Sequence, residues 1–320
     1  MRVVKISNMM EYRSLNGILS VDKPQGLTSF QTVARIKKIL HQKKIGHTGT
    51  LDPLATGLLL VCLNEATKLA TFLQDLEKEY QAVMKLGEET DTQDAQGKII
   101  ASSHYYPKSR KEIEDTFCAF KGTIWQVPPM FSAIKKNGVP LYKLAREGKE
   151  IKREPRKIEI YKLEITNISP PYIMFKVVCS KGTYIRSLVY DIGRELGCGA
   201  HVTAIKRLRA GTFTIKDALS LDEIMKLAKQ GNLENIIIPP AKAILSYPAI
   251  LLNAEFKKRV TDGMPLYVRD LENNNQVDVS HGKKFRLLDE EGKLIAVARI
   301  LNVLYGKRKE LVLKSLRVFN

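Results

Sequence analysis

The stretch KIGHTGTLDPLATGLLLVCL, residues Lys44 to Leu63, places a dense set of turn residues directly in front of an unbroken apolar run. The apolar part, Leu58 to Leu63, has the length and composition of a buried strand. The turn part holds a single acid, Asp52, and the following Pro53 biases this acid toward an extended conformation. We therefore expect a rigid turn that carries one carboxylate next to a buried strand.

Two interpretations of Asp52 remain open from its spacing alone. Asp before Pro is common at turns, where it has only a structural role. Alternatively, Asp52 is a catalytic carboxylate, since the sequence lacks the motifs of several other enzyme classes. Neither GxxxxGK[ST] nor GxGxxG occurs, and there is no GxSxG elbow. The segment DTQDAQG, from Asp91, has the wrong acid spacing for a calcium loop and is interpreted as a polar turn.

The charge of the chain indicates a polyanionic partner. The 320 residues carry a formal net charge of +18, with a pI near 9.6, and the basic residues are spread along the chain. Such a balance favours nucleic acid or an anionic membrane surface. The longest apolar run is far below the roughly 18 residues that cross a bilayer, and the N-terminus lacks the order of a secretory signal. We expect a soluble, cytoplasmic, two-domain protein that binds nucleic acid.

Cysteine and histidine usage predicts neither disulfides nor metal. The four cysteines form no CxxC pair, and their apolar surroundings are typical of reduced thiols that pack as small hydrophobic residues. The five histidines have no metal-ligand spacing. We therefore expect no metal and no cofactor.

Hydrophobic periodicity predicts strands and helices that alternate irregularly. The segment GILSVDKPQG predicts a strand closed by a turn, after which Ser29 is placed to cap a helix. Capping-box signatures that begin at Ser109 and Ser220 predict two further helix starts. Strands are also predicted over residues 157–165 and 172–179. Because neighbouring strands are close enough to pair antiparallel, a mixed α/β core follows, without the regular rhythm of a doubly wound sheet.

Three segments differ from this core. Residues 127–157 form a long connection rich in Lys, Arg, Pro and Gly, which we interpret as a mobile arm that closes on RNA; a solvated loop is the alternative. From about residue 248, short predicted strands and turns suggest a small all-β barrel, with a loop insertion ENNNQ at Glu272. The adjacent Met9 and Met10 allow translation to start at Met10, and an unstructured extension is the alternative.

In order and in content, these blocks resemble the bacterial TruB family, the tRNA pseudouridine-55 synthases. GHTGTLDPLATGLLLV is similar to the catalytic motif of the family. Similar blocks are VDKPQGLTS, KEYQAVMKLGEETDTQDAQG, VPPMFSAIK with LYKLAREG, and SKGTYIRSLVYDIGRELG. The resemblance implies an α/β (α+β) catalytic domain over residues 10–245, with a mixed, largely antiparallel sheet flanked by helices and the arm at 127–157. Residues 248–320 resemble a PUA RNA-binding domain.

The resemblance also implies a reaction and the residues that perform it. The family isomerises uridine-55 in the TΨC loop of tRNA to pseudouridine, a reaction without net redox change or group donor. Asp52 matches the residue that initiates glycosidic cleavage, Tyr80 the tyrosine that stacks on the target base, and Arg186 the arginine that pairs with the aspartate. The matched substrate-binding or RNA-binding positions are His47, Lys23, Lys68, Tyr184 and Leu208.

Other interpretations remain for the residues and for the whole chain. Tyr80 and Leu208 also fit core packing, and His47 also fits a solvated turn. A guide-dependent pseudouridine synthase would share the motif and the PUA domain, although the long arm favours direct binding of the TΨC arm of tRNA by a monomer. A non-catalytic RNA-binding or RNA-folding protein would need only the basic charge and the PUA-like end.

Overall fold

The computed structural model describes residues 14–107, 109–267, 269, 280–305 and 308–319. The start-site hypothesis at Met9 and Met10 and the loop insertion at Glu272 lie outside these residues. In the described part the chain forms one large mixed sheet with helices, followed by a smaller sheet near the C-terminus. The α/β fold class is therefore confirmed.

The bounds of the elements are as follows. The helices are α1 (Ser29–Leu40), α2 (Ala70–Gln74), α3 (Arg110–Ala119), α4 (Leu141–Arg146), α5 (Ile185–Glu195), α6 (Leu221–Lys229), α7 (Pro240–Ala243) and α8 (Ala254–Thr261). The first strands are β1 (Gly17–Lys23), β2 (Ile45–His47), β3 (Thr56–Leu63), β4 (Lys78–Leu86), β5 (Glu88–Thr90), β6 (Ile99–Ser102), β7 (Gly122–Gln126), β8 (Lys135–Lys136) and β9 (Val139–Pro140). The later strands are β10 (Arg156–Ser169), β11 (Tyr172–Cys179), β12 (Ala200–Ala210), β13 (Phe213–Thr214), β14 (Ala249–Leu251), β15 (Leu266–Tyr267), β16 (Lys284–Leu288), β17 (Leu294–Tyr305) and β18 (Arg308–Val318).

The central sheet has the strand order β1-β3-β12-β4-β11-β10-β7, with β2 paired to β3 and β13 paired to β12. Among its described pairs, β12 with β3 is parallel and the others are antiparallel. The predicted mixed, largely antiparallel sheet is confirmed. Helices α3 and α5 place buried side chains against one face of this sheet, where Phe117 and Leu188 join the main core.

Strand β3 lies between two hydrophobic cores. Its residues Leu58 to Leu63 are each at most 1% exposed. Alternate side chains point to opposite faces of a strand, so Leu59, Val61 and Leu63 enter the main core. Leu58, Leu60 and Cys62 enter the second core. The strand that follows the Asp52 turn is therefore held on both faces, as the apolar run predicts.

The start of α1 differs from the prediction. Thr28, not Ser29, is the N-cap, since its side chain accepts a hydrogen bond from Gln31 N and Gln31 completes the capping box. Ser29 is buried, and its hydroxyl donates to Leu51 O at 3.1 Å and accepts from Leu51 N at 2.8 Å. The hydroxyl of Ser29 is thus used to fix the Asp52 turn rather than the helix end.

The arm has secondary structure of its own. Strands β8 and β9 form a short hairpin around Asn137 and Gly138, which both have positive φ, as two-residue hairpin turns require. Helix α4 follows directly, and its first residue, Leu141, is buried. This part of the arm therefore contains an exposed hairpin and a short helix, while its closure on RNA stays a prediction.

The C-terminal unit is a five-stranded sheet of order β14-β16-β17-β18-β15. Strands β17 and β18 have 12 and 11 residues, so the expectation of short strands throughout is wrong here. The mostly apolar segment LIAVARILNVLY contains no Gly or Pro that would interrupt β17. Side chains of this unit, including Leu294 and Phe319, share the second core with Leu58 and Phe72 of the large sheet. The two units are therefore packed together through apolar side chains.

All four cysteines are free thiols. Three are buried, and burial raises the pKa of Cys62 to about 12 and that of Cys179 to about 11. Cys118 on α3 is exposed, so the expectation of an apolar setting is wrong for this residue. Its neighbours Ile113 and Phe117 take the buried face of the helix. No helix in the described ranges is long and apolar enough to cross a membrane.

Candidate active site

The turn that carries Asp52 is fixed by main-chain hydrogen bonds. Ala55 N donates to Asp52 O at 3.1 Å, which closes a turn with Pro53 in its second position. Pro53 O in turn accepts from Gly26 N at 2.8 Å. Together with the bonds between Ser29 and Leu51, these contacts tie the turn to β1 and α1. The carboxylate itself remains 34% exposed, so it is open to a ligand.

Arg186 binds this carboxylate with two nitrogens. Its Nε lies 2.8 Å from Asp52 Oδ2, and its Nη2 lies 3.2 Å from Asp52 Oδ1. Arg186 is the second residue of α5, and only 4% of its side chain is exposed. Bidentate pairing of this kind fixes both the distance and the plane of a carboxylate. The geometry places Arg186 where the family resemblance expects it.

Arg186 also binds the two segments that flank the site. Nη1 donates to Thr92 O at 2.8 Å, and Nη2 donates to Phe131 O in the arm at 2.7 Å. A second carboxylate, Asp94 Oδ2, lies 3.8 Å from Arg186 Nε. Because one guanidinium joins the Asp52 turn, the turn after β5 and the base of the arm, it organises all three segments around a single point.

Asp94 is held by the turn in which it lies. Its Oδ1 accepts from Thr92 Oγ1 at 2.7 Å and from Gln96 N at 3.0 Å. The turn is attached to the sheet through Val202, whose O accepts from Ala95 N at 2.8 Å. The prediction of a polar turn at DTQDAQG is confirmed, since its carboxylates bind the turn's own donors. Its contact with Arg186 has no signal in the sequence, because the two segments are distant along the chain.

Tyr80 lies on β4 opposite Arg207 of β12. The Arg207 guanidinium lies over the Tyr80 ring, 5.6 Å from its centroid. Burial raises the pKa of the Tyr80 phenol, and the Arg207 charge acts in the opposite direction. The phenol is therefore neutral near pH 7 and can donate a proton, and its role as a stacking surface for the base stays a prediction.

Tyr184 precedes the helix that carries Arg186. It is the N-cap residue of α5, and its main chain is held by the Gln126 side chain, which accepts from Tyr184 N at 2.8 Å and donates to Tyr184 O at 3.0 Å. Burial raises the pKa of its phenol. Gln126 ends β7, directly before the arm, so Tyr184 lies between the arm and the Arg186 pair.

Lys23 is fully buried beneath the site. Its Nζ donates to Leu27 O at 2.6 Å and to Pro24 O at 2.8 Å. Burial lowers the pKa of this ammonium to about 8, while the Asp52 carboxylate acts to raise it. Lys23 therefore shapes the turn that receives Pro53 and adds positive potential below Asp52.

His47 is the last residue of β2. This strand pairs with β3, and the Asp52 turn lies between the two strands in the sequence. Its Nδ1 accepts from Gly49 N at 3.3 Å, which leaves Nε2 to carry the proton in the neutral ring. Burial lowers the pKa of His47, and the Arg207 charge acts in the same direction. His47 is part-buried at the start of the turn and is neutral near pH 7.

Two expected substrate-binding residues have other surroundings. Lys68 donates to Val318 O at 2.9 Å, pairs with Glu65, and lies 5.9 Å from the centroid of the Phe319 ring. It therefore lies at the junction with the C-terminal unit, and a phosphate contact stays a prediction. Leu208 is the extra residue of a β-bulge in β12, since the pairing with β4 shifts register there. It is part-buried near Tyr80, and its role at the base also stays a prediction.

The arrangement provides one accessible carboxylate surrounded by cations and aromatic rings. Asp52 is the accessible acid, Arg186 and Lys23 supply positive charge, and Tyr80 and Tyr184 supply protonated phenols. Among the described residues no three His, Cys, Asp or Glu side chains form a group that could hold a metal ion. Such a site suits attack by a carboxylate on an electron-poor carbon, followed by proton transfers within the substrate.

Comparison with known proteins identifies the family. The family model described as TruB family pseudouridylate synthase, N-terminal domain, matches residues 37–185, and that of the tRNA pseudouridylate synthase B C-terminal domain matches residues 186–245. The chain belongs to the TruB family. It is 42% identical over 306 residues to tRNA pseudouridine synthase B of Geobacter sulfurreducens, covering 96% of this chain and 100% of the relative. It is 39% identical over 294 residues to the protein of that name from Pseudomonas aeruginosa, covering 90% and 93%.

Two solved structures of Cbf5 complexes have the same fold. A crystal structure of a Cbf5-Nop10-Gar1 complex matches this TruB family member with a TM-score of 0.73 and 28% identity, covering 95% of this chain and 85% of that chain. An archaeal box H/ACA sRNP Nop10-Cbf5 complex matches with a TM-score of 0.71 and 26% identity, covering 98% and 89%. Both matches extend over the large and the small sheet, so the likeness covers the whole architecture.

Proposed function

We propose that this chain is a stand-alone tRNA pseudouridine synthase that isomerises uridine-55 in the TΨC loop. The observation that carries the proposal is the bidentate pair of Arg186 with Asp52, in which the cation is buried and the carboxylate is one-third exposed. The bidentate contact fixes the orientation of the acid, and the exposed edge leaves that acid free to react. Pseudouridylate synthase is also the activity in the family description.

The proposed reaction breaks the bond between N1 of the base and the ribose and forms a bond between C5 and the same ribose carbon. Asp52 initiates the cleavage, either by attack on the base or by attack at the sugar. The proton lost from C5 balances the proton gained at N1, so the isomerisation consumes no other reactant. Arg186 holds the Asp52 carboxylate in place throughout, and Tyr80 stacks on the base.

Access to uridine requires the base to leave the RNA stack. Base flipping costs a few kcal/mol, and stacking on aromatic rings is worth roughly 1–3 kcal/mol per base. Tyr80 and Tyr184 are the aromatic side chains that we propose for this stacking. The arm at 127–157 has nine Lys and Arg against three Glu, and its base contacts Arg186 through Phe131 O. We infer that the arm binds the phosphate backbone next to the flipped base.

The proposed function is accompanied by a proposed domain organisation. Residues 10–245 form the pseudouridine synthase domain, and residues 248–320 form a PUA-like RNA-binding domain. The second core joins the two, so RNA bound to the small sheet lies at a fixed position relative to Asp52. We also propose that the protein acts in the cytoplasm, as a monomer, on the TΨC arm of tRNA.

A guide-dependent synthase is the second candidate. The observation in its favour is the match to solved structures of Cbf5 complexes. The Cbf5 complexes share the fold over nearly the whole chain, at 26–28% identity. The named tRNA enzymes are more similar in sequence, at 39–42% identity. The arm at 127–157 is also rich in Lys and Arg, which would let the chain bind RNA without a guide. These two observations favour the stand-alone enzyme.

An assay with purified protein alone separates the candidates. Unmodified tRNA transcript is incubated with the protein, and pseudouridine is mapped along the product. We expect product at position 55 without guide RNA, and none when Asp52→Ala replaces the wild type. Absence of product with the wild-type protein would contradict the stand-alone function, and full activity of Asp52→Ala would contradict the proposed mechanism.

A further inference from the structure

Arg207 contacts both ends of the turn that carries Asp52. At one end its Nη2 donates to Thr50 O at 3.0 Å and its Nη1 approaches Gly49 O at 3.5 Å. At the other end its main chain pairs with Gly57, the second residue of the buried strand β3. A Cβ on Gly57 would lie 2.3 Å from Arg207 O and 2.8 Å from Arg207 N. Arg207 therefore contacts the chain on both sides of Asp52, at Thr50 and at Gly57.

The same guanidinium contacts the tyrosine expected to stack on the base. Arg207 pairs with Tyr80 across β12 and β4, and its guanidinium lies over the Tyr80 ring. The bulge at Leu208 follows directly, so the strand changes its pairing immediately after Arg207. Cation–π contact restricts the position of the ring as well as that of the cation. Arg207 thereby links the Asp52 turn to Tyr80 through a single rigid group.

The burial of Arg207 is not explained by an ion pair. The residue is 2% exposed, and in the described ranges it forms no ion pair with a carboxylate. Its Nε is buried without an acceptor among the described residues. A buried cation with an unsatisfied donor is costly, so such a residue needs a compensating role. Its contacts are with loop carbonyl groups and an aromatic ring, all of which belong to the site.

We propose that Arg207 is a positioning residue that fixes the Asp52 carboxylate relative to Tyr80. The inference rests on the proposed function, because it assigns Arg207 to the same reaction. Lysine cannot replace it, since one ammonium group cannot reach two carbonyl groups and also contact the Tyr80 ring. A shift of the carboxylate of about 1 Å is enough to slow a reaction on the order of 100-fold.

The test compares Arg207→Lys and Arg207→Met with the wild type and with Arg209→Met. Arg209 lies two positions further along β12 and pairs with Glu77 and Glu79, so it is a matched control. For each protein we measure the single-turnover rate of pseudouridine formation, the Kd for tRNA transcript and the Tm. We expect the rate of Arg207→Lys to fall on the order of 10- to 100-fold. Its Kd and Tm stay near wild-type values, and Arg209→Met keeps the full rate.

The outcomes distinguish a positioning role from a structural one. A larger rate loss in Arg207→Met than in Arg207→Lys, again without a change in Kd, supports the inference. If Arg207→Met does not fold, Arg207→Lys alone decides, because it keeps the charge and most of the aliphatic chain. A full rate in Arg207→Lys, or a loss that follows Kd or Tm, would overturn the inference alone. An inactive wild-type protein would overturn the proposed function as well.

Discussion

Arg186 and Asp52 form a bidentate ion pair across 134 residues of sequence. The two partners differ sharply in exposure, since 4% of the Arg186 side chain and 34% of the Asp52 side chain reach solvent. The Arg186 guanidinium is therefore buried in the protein, whereas the Asp52 carboxylate is accessible to a ligand. Such asymmetry is suited to an acid that must react while it remains oriented.

Replacement of Arg186 by lysine tests this orientation. Arg186 binds Asp52, Thr92 O and Phe131 O at once, and lysine cannot reproduce this set of bonds. We expect Arg186→Lys to lower the single-turnover rate on the order of 100-fold. The matched control is Arg194→Lys on the same helix, because Arg194 is largely exposed and pairs with Glu89. Equal rates for the two variants would contradict the role assigned to Arg186.

Asp94 provides a second test of the same pair. Its carboxylate lies 3.8 Å from Arg186 Nε, and only 7% of its side chain is exposed. Asp94→Asn keeps the shape of the turn and removes one of the two charges that hold the guanidinium. We expect a lower single-turnover rate with an unchanged Kd for tRNA. The control is Asp91→Asn, which replaces an acid of the same turn that does not pair with Arg186. We expect this variant to keep the wild-type rate. A loss of affinity alone in Asp94→Asn would argue for an RNA contact instead.

The buried strand and its turn could be predicted because their signals are local. Leu58 to Leu63 are apolar without interruption, and the turn residues precede them directly. The structure confirms both features. The N-cap of α1 is Thr28 and not the expected Ser29, and the local signal for Thr28 is Gln31, which stands three positions later and completes a capping box. The contact of Ser29 with Leu51, 22 positions away, has no local signal.

Long-range partners explain what sequence reasoning missed at the site. Arg207 and Asp94 are ordinary residues in their own segments, a basic strand and a polar turn. Their importance arises from register, since β12 pairs with both β3 and β4. Lys68 shows the reverse case, because its motif match suggests RNA and its contacts lie in the C-terminal unit. A single sequence carries no information on such pairings.

The low pKa of Lys23 predicts a dependence of stability on pH. Burial lowers the pKa of this amine in the folded protein from its ordinary 10.5 to about 8. Between these values the unfolded chain binds the proton and the folded protein does not, so stability rises with pH across this window. We expect wild-type protein to gain on the order of 1–2 kcal/mol relative to Lys23→Met between pH 7 and pH 9.5. Urea denaturation at both pH values measures the difference.

A second buried lysine, Lys78, does not affect the comparison between wild type and Lys23→Met. Burial also lowers its pKa to about 8, and it titrates in wild type and in Lys23→Met alike. Its contribution therefore cancels in the difference between the two proteins. An identical change of stability with pH in both proteins would show that Lys23 keeps an ordinary pKa in the fold.

Lys68 is expected to stabilise the junction between the two units. Its ammonium donates to Val318 O and pairs with Glu65. We expect Lys68→Met to destabilise the protein by about 1 kcal/mol in urea denaturation, because a partly exposed charged hydrogen bond is lost. The salt dependence of tRNA binding should stay at the wild-type slope. A slope reduced by about one would instead support the phosphate contact expected from the family resemblance.

The exposed lysines of the arm hairpin, Lys135 and Lys136, predict a strong salt dependence of RNA binding. Each phosphate contact contributes roughly 0.7–0.9 to the slope of log K against log salt. If both lysines bind phosphate, Lys135→Ala with Lys136→Ala lowers the slope by about 1.5. The matched control is Lys162→Ala with Lys176→Ala. These lysines lie on the sheet face opposite Tyr80, since Lys176 follows Phe175 and precedes Val177, which are both buried in the main core. Equal slopes for the two double variants would show that the arm hairpin does not bind the RNA backbone.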